Sequence, residues 1–114
     1  DHGAAKSRHA AAQAWVEREE SALDEAGRQL REDVTTTLHN INIYRLLLEQ
    51  TTQAVAMADE VFELNAENYA NGLCVINTYT LAQNRRDEAY NQYLSALEKY
   101  WTTYYHLQTL TGTD

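Results

Sequence analysis

Tyr69-Ala70-Asn71-Gly72-Leu73-Cys74-Val75-Ile76 divides two strongly patterned segments of a chain that has four glycines and no proline. Asn and Gly are the residues that best tolerate the left-handed backbone of a helix C-cap, so Asn71-Gly72 reads as a helix stop and a chain reversal. The residues directly after Gly72 have the wrong polarity for a loop: Leu73, Cys74, Val75 and Ile76 are all apolar. The fold turns on this stretch, because it decides whether two helices fold against each other.

Upstream of the stop, Val34, Ile41, Leu48, Val55, Phe62 and Tyr69 recur every seven residues. A second row, Leu23, Leu30, Thr37, Tyr44, Thr51 and Ala58, mixes apolar with small polar residues. Alternating steps of three and four between two such rows define a coiled-coil seam. Further rows, Leu47, Ala54 and Val61 with Ile43, Met57 and Leu64, widen the apolar face beyond what one neighbour covers. Downstream, Tyr90, Tyr93, Leu97, Tyr100, Tyr104 and Leu107 repeat the same stepping, flanked by Leu94, Trp101 and Tyr105. The expected architecture is all-α: a long antiparallel helical hairpin with coiled-coil packing, helix over 5–69, tip over 70–74, helix over 75–110. At 1.5 Å per residue the first helix is roughly 95–100 Å long and the second roughly 50–55 Å. The shorter helix then covers only about residues 34–69 of the longer one. Trp15, Val16, Leu23 and Leu30 need another partner, and a two-helix core is small, so an oligomer or a piece of a larger protein is expected.

Composition narrows the function. Nine basic against seventeen acidic residues leave a net charge of −8, which argues against nucleic acid or an anionic membrane as the main partner. One cysteine allows no internal disulfide, and the longest apolar run, Leu46-Leu47-Leu48, is far too short to cross a bilayer. His2, His9, His39 and His106 share no metal-ligand spacing, and neither His39 nor His106 comes three residues after a Glu, as a di-iron bundle needs. Phosphate loop, nucleophile elbow and catalytic triad are all missing from the pattern. The acidic run Glu17, Glu19, Glu20, Asp24 and Glu25 reads as a solvated helix face. Five tyrosines between Tyr90 and Tyr105 suit an interface, with rings packed and hydroxyls to water. No catalytic residue, metal site or cofactor is expected.

Tyr69 and Gly72, then Ala82-Gln83, Ala89, Tyr93, Ala96-Leu97, Tyr100, Leu107 and Thr111-Gly112, fall in the order and helical spacing of a known repeat. The chain resembles the TolC-type outer membrane efflux proteins over this half, with Glu32-Asp33-Val34 upstream in keeping with it. Val75 and Thr78 stand where family members often carry Ser and a carboxylate, and Tyr79-Thr80 where an aliphatic pair is usual. The resemblance implies one periplasmic hairpin of an α-helical barrel, built in a homotrimeric parent protein of the Gram-negative outer membrane. It implies a transport duct for efflux or type I secretion, without enzymatic activity. On that view the hairpin docks to a periplasmic adaptor protein through a tip formed by Asn71, Gly72, Leu73, Cys74 and Val75. Val34, Ile41, Leu48, Val55, Phe62, Tyr69, Tyr93, Leu97, Tyr100, Tyr104 and Leu107 form its packing seam. One repeat without strands is expected to be part of a duct, itself outside the membrane, and as a separate chain a dimer or bundle. The competing reading is a self-associating coiled-coil or four-helix-bundle scaffold that binds a cytosolic partner, in which the tip is only a connector and its apolar residues are buried in a dimer. A plainer alternative for the tip has Leu73 and Ile76 staple the two helices at the bend.

Overall fold

A computed structural model describes residues 1–113. Two helices account for nearly all of them: α1, His2–Ala70, and α2, Ile76–Thr111. A 69-residue α1 is possible because proline is absent and its only glycines are Gly3 and Gly27. Against the sequence-based helices, α1 starts three residues earlier, both helices end one residue later, and α2 starts one residue later, so the expected tip of 70–74 becomes 71–75 and Ala70 belongs to α1.

Two compact units divide the chain, one from Asp1 to Thr36 and one from Thr37 onward. The first consists of the opening turns of α1. Arg28 sits between Glu25 and Glu32, one turn away on either side, and Gln29 donates to the Asp33 carboxylate at 3.0 Å. Such local pairs add only about 0.2–0.5 kcal/mol each to a helix. Trp15, Val16, Leu23 and Leu30 are exposed, and Val34, the first residue of the expected seam, is half-buried.

The second unit is the hairpin. Its most buried positions are small residues: Thr37, Thr51, Ala82 and Ala96 are buried, Ala96 almost completely. Larger seam residues, among them Ile41, Leu48, Val55 and Phe62 on α1, are half-buried on either side of that line. Tyr93, Leu97, Tyr100, Tyr104 and Leu107 are half-buried on α2. Small side chains at the contact let two helix axes approach more closely, so the bulky neighbours pack around the line rather than across it. Thr51 fits there because its hydroxyl donates back to Leu47 O at 2.9 Å and Leu48 O at 3.1 Å, which removes the cost of burying it. Tyr90 departs from the expected row, being exposed, while Ala82, Arg86, Ala89, Tyr93 and Ala96 run along the contact at steps of four, three, four and three.

Close to the reversal, Tyr79 lies between two rings of α1, with centroids 5.6 Å from Phe62 and 5.3 Å from Tyr69. These contacts set the pairing level of the two helices. At the far end, Gly112 takes φ 67° and its N–H donates to Gln108 O, closing α2 with a left-handed C-cap. No described helix is long and apolar enough to cross a membrane.

Candidate docking tip

The reversal is built from backbone. Gly72 N donates to Tyr69 O at 3.1 Å and Leu73 N to Asn68 O at 2.7 Å. That pair of bonds is the Schellman motif, with Gly72 as its left-handed residue at φ 72°. A Cβ on Gly72 would meet nothing within 4 Å, so the positive φ, not crowding, requires glycine here. The chain then extends through Val75, at φ −83° and ψ 160°, whose carbonyl accepts from Thr78 N and Tyr79 N to start α2 without a side-chain cap.

Schellman turns commonly carry an apolar contact between the residue after the glycine and the one that accepts its N–H. Here those residues are Leu73 and Asn68, a mismatched pair. Leu73 accordingly stays 73% exposed, with Val75 at 66% and Ile76 at 50%. At this exposure Leu73 has little contact with the helices, while Ile76 keeps half of its surface covered. Cys74 alone turns inward: it is half-buried, with its thiol 3.6 Å from Asn65 O. Asn65 in turn donates from its amide to Val61 O at 2.8 Å. Of the tip residues expected from sequence, Gly72 alone takes the left-handed backbone, Asn71 still donates to Glu67 O as a helical residue does, Cys74 plugs the turn, and Leu73 and Val75 project from it.

A charged residue the hydrophobic pattern passes over sits just beneath. Arg86 holds its guanidinium 3.7 Å above the centre of the Phe62 ring and 3.9 Å from the Asp87 carboxylate. On the next turn the Tyr90 hydroxyl donates to Asp59 at 3.3 Å. The Phe62 and Asp59 contacts join α1 to α2 at one level. The signal was present as a cation at seam spacing, four residues after Ala82 and three before Ala89. Partly desolvated cation–π pairs contribute about 0.5–2 kcal/mol. Arg86→Ala is expected to lower hairpin stability by about that amount in a denaturant titration. Arg86→Met, which keeps the stem against Phe62, is expected to recover part of it.

A shallow groove of about 370 Å³ runs beside Tyr44 and is lined on α2 by Ser95, Glu98, Lys99, Thr102 and Thr103. Among the described residues no group of three His, Cys, Asp or Glu side chains is arranged to hold a metal ion. Compared with protein-family models, with curated proteins and with solved structures, the chain finds no match.

Proposed function

We propose that this hairpin is a periplasmic segment of an outer membrane duct for efflux or type I secretion. It works in a homotrimeric parent protein and docks through residues 71–75 to the hairpin of a periplasmic adaptor. The supporting observation is the apolar tip: Leu73, Val75 and Ile76 project from a turn whose shape is held by backbone bonds and Gly72. Apolar clusters that stay exposed on a rigid element mark protein contacts. The role is mechanical, with no catalytic group. A photo-cross-linker at Val75 in the parent protein should capture an adaptor in cells, while one at Arg45, exposed on α1 far from the tip in sequence, should not. Equal capture from both positions, or none from Val75, would sink the docking proposal.

A second reading, a self-associating helical scaffold, draws on the apolar residues that stay exposed along the hairpin, such as Met57 and Leu94. In that case the parent reading frame has no β-strands and no second hairpin of this kind.

A further inference from the structure

Four rings meet near the end of α2. Tyr100, Trp101, Tyr104 and Tyr105 touch in sequence, with ring centroids 5.4–6.4 Å apart. Two of them stay open: Trp101 is 44% exposed and Tyr105 60%. Their planes are inclined by 33°, with centroids 5.9 Å apart, so the pair makes a shallow platform. The half-buried Tyr104 meets both rings edge-on and braces them.

The platform runs into a groove of about 350 Å³, lined by Tyr105, Gln108, Thr109, Gly112 and Thr113. That volume lies at the small end of the range of roughly 300–1,000 Å³ for ligand pockets. Trp101, Tyr105, Gln108 and Gly112 follow at steps of four, three and four, so platform and groove share one face of α2. Gly112 has open space where a Cβ would stand, which leaves the backbone there accessible. Among the described residues the Gln108 side-chain amide has no hydrogen-bond partner. The Thr109 hydroxyl donates to Tyr105 O at 3.1 Å and keeps lone pairs that can accept.

Charge decides what fits. From Tyr100 to Thr113 there is no Asp, Glu, Lys or Arg, in a chain where 23% of residues are charged. A ligand carrying a phosphate, carboxylate or ammonium group would call for an opposite charge, and a nucleotide is disfavoured on that ground. A sugar ring needs none. One of its faces is made of C–H bonds and suits a flat aromatic surface, and its rim of hydroxyls both donates and accepts. An amide and a hydroxyl beside two rings answer both features.

We infer that Trp101, Tyr105, Gln108 and Thr109 form a binding site for a neutral saccharide. The ring stacks on the aromatic platform and its hydroxyls reach the Gln108 amide and the Thr109 hydroxyl. The site lies at the opposite end of α2 from the tip and does not depend on the adaptor. Sugar binding without a tip cross-link, or the reverse, separates the two proposals.

The test uses the 114-residue chain with Trp15→Phe, which leaves Trp101 as its only tryptophan. Trp101 fluorescence is followed while cellotriose, chitotriose or maltotriose is added, with uridine monophosphate as the charged control. A saturable change in the millimolar range is expected with at least one of the three sugars and none with the control. Tyr105→Ala should weaken binding at least about tenfold, and Tyr105→Phe, which keeps the ring, should retain it. Gln108→Leu should weaken it several-fold with helicity unchanged by circular dichroism, and this variant decides if Tyr105→Ala loses helicity. No saturable change with any of the three sugars would overturn the inference. So would full binding by Tyr105→Ala, or an equal response to the nucleotide. A Trp101 signal that follows protein concentration and ignores sugar would show that a second copy covers this face, and would overturn it too.

Discussion

Ala96→Phe should drive the two helices of the hairpin apart. Ala96 is 1% exposed, the most buried side chain among the described residues. Its neighbours on the contact line, Thr51 and Ala82, are themselves buried. A ring placed there must displace the side chains that bury Ala96. Overpacking a close contact costs about 1–3 kcal/mol and sometimes more. In a hairpin with so little buried side chain, that is a large share of the folding free energy. A loss of about 3 kcal/mol corresponds to a fall in Tm of roughly 12–24 °C for a unit of this size. The comparison is Ser95→Phe, one residue earlier on an exposed position, where little change in Tm is expected. If both variants melt together, the small-residue contact line is not what holds the hairpin.

The second large effect concerns the tip. Leu73→Asp should reduce adaptor cross-linking and transport in the parent protein by at least about tenfold, while the melting curve of the hairpin stays put. Leu73 is 73% exposed, and its structural contribution is its backbone N–H, donated to Asn68 O. Aspartate keeps that donor. Exposed substitutions without a packing role usually change stability by less than about 0.5 kcal/mol. Burying an unpaired carboxylate in an apolar contact costs several kcal/mol, which corresponds to well over a tenfold loss of affinity. Full transport by this variant would remove Leu73 from any contact. A parallel loss of helicity would instead mean that the side chain supports the turn.

The reversal was legible because Asn71-Gly72 is a backbone signal, and backbone preferences act locally. The α1 seam was legible too, since Val34, Ile41, Leu48, Val55 and Phe62 are large, apolar and evenly spaced. On α2 the reading leaned on Tyr90 and the other large residues, whereas the buried points of contact are Ala82 and Ala96. Hydrophobic patterning weights size, but the closest point between two helices admits the smallest side chains. Arg86 was hidden for a related reason: a cation counts as polar, yet its planar guanidinium lies on the Phe62 ring. Cys74 could not be assigned a direction from sequence, because its inward turn depends on the path from Gly72 to Val75.

The Schellman reversal separates two tasks that most binding loops combine. Gly72, together with the bonds from its own N–H and from that of Leu73, specifies the geometry. The side chains at 73, 75 and 76 are left with little architectural work. If the tip docks as proposed, those three positions are an exchangeable label on a fixed post. A new partner could be addressed by rewriting them, without refolding the helices beneath.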